Sequence, residues 1–194
     1  MITSKQEYIH YLNSDKIALG IKNATIKQKI RLFLFPNYIW NFQKILRKSE
    51  YYKNCRRDFI GKLIYVYFRR RLDKYSLKLG FSIPENVFGP GLAIVHYGSI
   101  VVNGAAKVGK NCRIHASTNI GASGGSKKAP IIGDNVYIGP GAIIFGEITI
   151  GNNNAISANA TVNKTIEEEN KMIAGTPAKV IKDIDIKRII PNAE

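Results

Sequence analysis

The stretch VNGAAKVGKNCRIHASTNIG, residues 102–121, and the stretch IIGDNVYIGPGAIIFGEITIGNNNAISANATVN, residues 131–163, share one period. In both, a branched aliphatic residue recurs at every sixth position. The ten members of this series are all Ile or Val: Val102, Val108, Ile114, Ile120, Ile132, Ile138, Ile144, Ile150, Ile156 and Val162. A strand repeats every two residues and a helix about every 3.6, so neither explains a strict six.

A prism of short parallel strands does explain this period. Each flat face takes about six residues, three faces close one coil, and stacked coils pair backbone to backbone at about 4.8 Å. The residue after the aliphatic one is often Gly, or Asn at 103 and 163, and we expect a positive φ there. The sequence therefore predicts a mainly β fold, with a parallel β-helix over residues 81–182. The step from Ile120 to Ile132 is six residues too long and predicts a protruding loop at 122–130.

Residues 1–80 have a different character and predict a basic α-helical N-terminal domain. Apolar residues lie three or four apart in KIRLFLF (29–35), YIWNFQKIL (38–46) and residues 58–79, which indicates three or four helices. Ser4 is the expected N-cap of the first helix, and Asn54 with Cys55 the expected start of the last. This part contains 18 Lys and Arg against 5 Asp and Glu, a net +13, whereas residues 81–194 contain 11 against 9, a net +2. Residues 183–194 are predicted to be a C-terminal tail.

Three segments carry a family resemblance: GPGLAIVHYGSIVVNGAAKVGKNCRI (89–114), TNIGASGGSKKAPIIGDNVYIGPGAIIFGEITIG (118–151) and MIAGTPAKVI (172–181). They resemble the hexapeptide-repeat acyltransferases, in the serine O-acetyltransferase branch, and look closest to versions from bacterial capsule and surface-polysaccharide clusters. The resemblance implies a left-handed β-helix and a homotrimer with active sites between subunits. It also implies an enzyme that moves an acetyl group from acetyl-CoA to a hydroxyl.

His96, in IVHYGSIVV, matches the family's catalytic histidine and is the predicted general base. A neutral imidazole can take a proton from a hydroxyl near pH 7. One observation opposes this role, because six residues back from Val102 is His96, which would place the ring in the inward series. We expect Gly98 to break the register there and turn the ring outwards. The other histidines are His10, expected at the surface, and His115, expected at a corner.

The chain departs from the serine-specific pattern at three places. Val95 and Ser82 stand where the family has Asp, and Lys128-Ala129 stands where it has Arg-His. A serine site must pair an ammonium group with an acid, which is missing here. We therefore expect a hydroxyl on a sugar of a surface polysaccharide or its precursor. The alternatives are a serine O-acetyltransferase of cysteine biosynthesis and a non-catalytic β-helix scaffold.

The resemblance also assigns binding residues. The acetyl-CoA candidates are Gly121, Ala122, Gly139, Pro140, Ala158, Lys164 and Lys179, with the lysines toward the phosphates. The substrate candidates are Tyr97, His115 and Lys128. A backbone carbonyl or Glu85 is the expected group that orients His96. γ-Carbonic anhydrases share the prism but need three histidines on zinc; the repeat part has two, and no metal is expected.

Location and further partners follow from composition. The chain has no apolar run that fits a signal peptide or a spanning helix, and Cys55 and Cys112 form no motif, so we expect a cytoplasmic protein. Residues 26–79 mix aromatic residues with Lys and Arg, which favours the hypothesis of peripheral contact with an anionic inner membrane. The alternative is an aromatic helical cap with a solvated basic face. No nucleic-acid motif accompanies the charge, and no nucleic acid is expected as a partner.

Overall fold

The computed structural model describes residues 1–22, 25 and 34–193, which form helices followed by strands. The helices are α1 Lys5–Ala18, α2 Tyr38–Cys55 and α3 Phe59–Leu79. Ser4 caps α1 as predicted, with its Oγ accepting the Glu7 N–H at 3.1 Å. Of the predicted KIRLFLF helix, residues 29–33 lie outside the described part of the chain.

The predicted start of the last helix was wrong. Asn54 and Cys55 end α2, and Asp58 caps α3 by accepting the Gly61 N–H at 3.0 Å. A carboxylate is the better group at this position, because it also interacts favourably with the positive end of the helix dipole. The Asn54 amide instead donates to the Ile2 carbonyl at 3.0 Å and holds the N-terminus on α2.

The strands form three faces of a prism. Face A contains β1 Phe81–Ser82, β3 Ile100–Val102, β6 Thr118–Gly121, β9 Ile143–Phe145 and β12 Thr161–Val162. Face B contains β4 Lys107–Val108, β7 Ile131–Ile132 and β10 Thr149–Ile150. Face C contains β2 Ala93–Ile94, β5 Arg113–Ile114, β8 Tyr137–Ile138, β11 Ala155–Ile156, β13 Lys171–Gly175 and β14 Ala178–Asp183.

The strand register confirms the period of six. Ile143 pairs with Thr161, 18 residues on, so one coil is three steps of six. Asn119 pairs with Ile143, 24 residues on, because the loop at 122–130 adds one further step. The ten aliphatic residues of the series point inward and are at most 4% exposed. A second inward series lies two residues earlier: Ala106, Cys112, Thr118, Val136, Ala142, Ile148, Asn154 and Ala160.

The prism ends differently from the uniform coil predicted to residue 182. β14 runs antiparallel to β13, so the last coil turns back as a hairpin. A hairpin caps the open end of a parallel β-helix, where unpaired backbone groups would otherwise invite further strands. The tail beyond it contains a 3₁₀ helix, Ile186–Arg188, and packs on face C. Ile186, Ile190 and Ala193 are buried there with Ala155.

The glycines that follow the aliphatic residues do not have the positive φ that the sequence predicts. Positive φ values occur two residues later, at Asn111, Asn135 and Asn153, and not at the glycines themselves. A Cβ on Gly109 would lie 2.7 Å from the Gly133 carbonyl carbon, so the limit is the approach of the next coil. The asparagines tolerate the left-handed conformation and bond along the edge, with Asn111 donating to Asn135 at 2.9 Å and Asn135 to Asn153 at 2.8 Å.

A buried charge cluster fixes the helices to the first coil. The Arg47 side chain is fully buried and bonds Asp15 at 2.8 Å and Glu50 at 3.0 Å, together with the Phe88 and Gly89 carbonyls. Asp15 in turn accepts the Gly91 and Leu92 N–H groups at 2.9 Å each. Because every charge is paired inside the protein, the cluster fixes where α1 and α2 sit against the prism.

We predict that Gly109→Ala lowers the free energy of unfolding by about 1–3 kcal/mol, because the new Cβ would overpack the adjacent coil. Gly124→Ala is the matched control, since a Cβ there meets nothing within 4 Å. Urea denaturation of the two variants and the parent measures the difference. Equal stability of the Gly109 and Gly124 variants would contradict the close-approach explanation.

Candidate active site

Two edges of the prism hold the predicted site residues. The edge between faces C and A, which we call the histidine corner, comprises residues 95–99, 115–117, 139–142 and 157–160. Its coils stack through backbone bonds from His115 N to Ile138 O at 3.1 Å and from Gly139 N to Ile156 O at 2.8 Å. The edge between faces A and B, which we call the loop corner, comprises residues 103–106, 121–130, 146–148 and 163–165.

His96 is exposed on the histidine corner. The reason is an insertion that a count of sixes misses. Ile94 pairs with Ile114, and Val102 pairs with Ile120. Val102 therefore follows Ile94 by eight residues, whereas Ile120 follows Ile114 by only six. The two extra residues shift the inward positions to Ile94 and Ile100, both at most 1% exposed.

Gly98 lies within this insertion with φ 134°, a conformation that L side chains rarely adopt. Its N–H donates to the Leu79 carbonyl at 2.9 Å, which holds the widened corner on the end of α3. The expected break of register at Gly98 is confirmed. His96 is therefore accessible to a substrate from outside the prism.

Aromatic rings surround His96 on one side. The His115 ring lies 5.8 Å from the His96 ring, centroid to centroid, and Tyr137 lies 5.2 Å from His115. Thr118 Oγ1 donates to the His115 carbonyl at 2.7 Å and fixes the turn. Burial first, then the neighbouring Arg113 and His96, lowers the pKa of His115. His115 is thus an uncharged ring that packs beside the candidate base.

The sequence did not single out Tyr137. The residue occupies the same outward position on face C as Arg113, with which it pairs. Because His115 follows Arg113 by two residues, an alignment of the coils on face C would have indicated that Tyr137 contacts His115. The available signal was therefore the coil alignment rather than any motif.

Glu85 does not orient His96, contrary to expectation. Its carboxylate accepts bonds from Ser49 Oγ and, at 2.8 Å, from Lys53 Nζ, on the helical side of the molecule. Among the described residues, no carboxylate or hydrogen-bond partner contacts the His96 ring. Val95 and Ser82, which stand where the family resemblance implies Asp, carry no carboxylate.

The acetyl-CoA candidates divide between the two edges. Gly139, Pro140 and Ala158 lie on the histidine corner above His115, and Pro140 and Ala158 are exposed. Gly139 is buried, and a Cβ there would lie 2.8 Å from Ala158 N, so close coil packing alone requires this glycine. Gly121 and Ala122 lie on the loop corner, which one chain does not bring together with His96.

The lysines also separate. Lys164 is exposed on the loop corner. Lys179 is exposed on β14, beside the hairpin turn. This turn lies at the end of the histidine corner, where Thr176 Oγ1 donates to the Asn159 carbonyl at 3.2 Å. Lys128 is exposed on the loop corner and forms an ion pair with Glu147, which offsets its charge. Of the substrate candidates, Tyr97 lies next to His96 and is 74% exposed.

The described residues, 1–22, 25 and 34–193, contain neither a metal-ligand cluster nor a membrane-spanning helix. No three His, Cys, Asp or Glu side chains come together there as a metal site would require. None of the helices in this part is long and apolar enough to cross a bilayer. Burial raises the pKa of the Cys112 thiol to about 12, so this cysteine is protonated and inert at neutral pH.

Known proteins share this fold and part of this sequence. Residues 129–164 match the family model of the bacterial transferase hexapeptide, six repeats. The structure superimposes on a serine acetyltransferase from Brucella abortus with a TM-score of 0.72 and 24% identity, over 93% of this chain and 71% of that one. The fold is that of the serine acetyltransferases. The coenzyme A complex of the Brucella abortus enzyme gives a TM-score of 0.68 at 24% identity, over 93% of this chain and 70% of that one.

The curated relatives match about half of this chain. The serine acetyltransferase of Mycobacterium tuberculosis is 37% identical over 100 residues, which are 50% of this chain and 43% of that protein. The serine acetyltransferase of Staphylococcus xylosus is 33% identical over 108 residues, 55% of this chain and 49% of that protein. The matched region thus spans less than half of these relatives.

We predict that His115 titrates below the ordinary histidine value of about 6.5, because burial disfavours its charged form. The folded chain then binds this proton more weakly than the unfolded chain, so stability falls as the pH drops through the unfolded-state pKa, about 6.5. Proton NMR of the imidazole resonances, assigned with His115→Gln, measures the His115 midpoint in the folded chain and in the urea-unfolded chain. A folded-chain midpoint at or above that of the unfolded chain would refute the described packing.

Proposed function

We propose that this protein is an acetyl-CoA-dependent O-acetyltransferase in which His96 is the general base. The observation that carries the proposal is the position of His96 on an open edge of a hexapeptide-repeat prism, above a row of exposed corner residues. The acceptor hydroxyl oxygen attacks the thioester carbonyl while His96 takes its proton. The C–S bond then breaks, and the leaving CoA thiolate takes the proton from the His96 imidazolium, which returns the base to its neutral form. Such a base contributes about 10²–10⁴ in rate.

We propose that the active enzyme is a homotrimer of left-handed prisms. The acetyl-CoA candidates occupy two different edges, and a groove between neighbouring protomers would bring one chain's histidine corner to another chain's loop corner. Faces A and B also carry exposed apolar side chains at Val101 (41%), Ile131 (55%) and Ile143 (41%), which neighbours would cover. Gly121, Ala122 and Lys164 would then complete the cofactor groove of Pro140 and Ala158, with Lys179 at its end.

We propose a sugar hydroxyl as the acceptor, on a surface polysaccharide or its precursor. The support is the composition around His96, where the exposed Tyr97 ring can stack on a sugar. Among the described residues no acid stands near His96 to pair with an amino acid's ammonium group. His115 would contact the acceptor beside the base, and Lys128 would reach a neighbouring protomer's acceptor from its loop.

L-Serine is the second candidate acceptor, and the comparisons favour it over the sugar. The named relatives are serine acetyltransferases. A serine acceptor would imply a role in cysteine biosynthesis and an acid contributed from another protomer. The proposal places the enzyme in the cytoplasm, with residues 26–79 in peripheral contact with the inner membrane.

The acceptor experiment measures release of the CoA thiol from acetyl-CoA with L-serine and, separately, with hexoses, hexosamines and short capsule-type oligosaccharides. We expect saturable turnover with a sugar and none above background hydrolysis with serine. Saturation by serine, with O-acetylserine as product, would replace the sugar proposal. Acetyl-CoA binding without turnover of any acceptor would favour the non-catalytic scaffold.

We predict that His96→Ala lowers kcat/KM for the acetylated acceptor by about 10²–10⁴. The control is His10→Ala, which removes an exposed histidine of α1 and is expected to leave the rate unchanged. Size-exclusion chromatography checks that both variants keep the parent's assembly state. A His96→Ala enzyme within twofold of the parent would rule out the proposed base.

A further inference from the structure

One helix face of the N-terminal part has the reverse of its expected polarity. Helix α3 packs its inner face against α2 and the first coil, where Leu72 is 1% and Leu79 is 6% exposed. A surface helix normally presents polar residues on its opposite side. The outer side of α3 instead carries a patch of large apolar residues, which we call the α3 stripe: Phe59, Ile60, Leu63, Val66, Tyr67 and Leu77, exposed by 75, 63, 56, 48, 55 and 86%.

From Phe59 to Tyr67 the stripe is continuous because its members follow helical spacing, and Leu77 lies on the same face farther along the helix. Phe59, Leu63 and Val66 lie four and three residues apart, and so share one face of α3. Ile60 and Tyr67 flank them on the same side, one turn apart from Leu63. From Phe59 to Leu77 the face extends about 27 Å along the helix. Contiguous apolar surface of this kind on a folded protein indicates an interaction site.

Positive charge surrounds the stripe. Arg57 precedes it, Lys62 lies at its side, and Arg70 and Lys74 interrupt it before Leu77. Among the described residues, none of these four cations has an ion-pair partner. Arg69 differs from them, since it pairs with Asp73 at 2.9 Å. The charge of the whole N-terminal part is +13, so the field around the stripe is strongly positive.

We infer that the α3 stripe is the face by which this protein lies on an anionic phospholipid bilayer, with the helix in the plane of the interface. The apolar residues would enter the acyl–headgroup boundary, while Lys and Arg at both sides meet the lipid phosphates. Charge argues against a second copy as the occupant, because two stripes face to face would bring two +13 surfaces together. Duplex nucleic acid would satisfy the cations but would leave Ile60, Leu63 and Val66 in water.

The inference narrows the membrane contact proposed for residues 26–79 to one surface, and it is independent of the acceptor. No residue of the α3 stripe belongs to the candidate active site, so a stripe variant should retain the parent's activity toward a soluble acceptor. Failure of the membrane inference and failure of the proposed chemistry are therefore separate results.

The experiment is co-sedimentation of the full chain with vesicles of phosphatidylcholine alone or with 30% phosphatidylglycerol (roughly the anionic fraction needed to attract a basic face). We expect binding only to the anionic vesicles. The double variant Leu63→Gln/Val66→Gln should weaken this binding on the order of tenfold or more, since it removes buried apolar contact. The matched control is Ile9→Gln, an exposed apolar residue of α1 (47%) outside the stripe, which should bind like the parent.

A second pair of variants separates insertion from charge alone. Arg70→Gln/Lys74→Gln should also weaken binding, and Lys5→Gln, an exposed lysine of α1, should not. Circular dichroism verifies that the helices persist. The inference is overturned by equal binding of the Leu63/Val66 variant and the parent, or by parent binding to duplex DNA as tight as to anionic vesicles. It is also overturned if the stripe variant dissociates a larger assembly in sedimentation velocity while the parent ignores vesicles.

Discussion

The whole arrangement depends on the match between successive coils of the prism. Each strand must match the strand of the neighbouring coil, because the strands pair in register and the inward residues stack on one another, whereas extra residues are accommodated at the corners. Glycines such as Gly109 allow the backbones to approach closely at the edges. Since every coil is held in this way, the outward residues of each edge form straight rows. The candidate site is a row of this kind, and its chemistry follows from where the coils deviate.

The most informative deviation is the widened corner at His96. Two extra residues between Ile94 and Val102 change the side to which residue 96 points, and Gly98, at a positive φ, accommodates the change. A buried cluster around Arg47 keeps α1 and α2 against the same coil. The chain is thus held on both sides of His96, by the Arg47 cluster at residues 88–92 and by the Leu79 carbonyl at Gly98. This is the condition under which a base can meet a substrate without reorganising the chain.

The repeat part could be predicted from the sequence because one inward residue per face is an obligatory feature of the prism. The ten aliphatic residues and the loop after Gly121 followed directly from that feature. The outward direction of His96 did not follow from this period, since a local insertion is invisible to a count of sixes, and only Gly98 indicated it. The prediction of a positive φ at the glycines was wrong for a related reason. These glycines are required by close contact with the next coil, which lies 18 or 24 residues further along the chain. Glu85 was misplaced because its partners Ser49 and Lys53 lie on α2, and sequence spacing carries no information on how helices dock.

The central claim is that the histidine corner receives the thioester. A crystal structure of the protein with coenzyme A tests this claim most directly. The account predicts the pantetheine arm along Pro140 and Ala158, between two protomers, with the thiol within hydrogen-bond reach of the His96 ring or one water away. Coenzyme A bound on another edge, or a His96 ring covered by a neighbouring protomer with no path to the thiol, would contradict it.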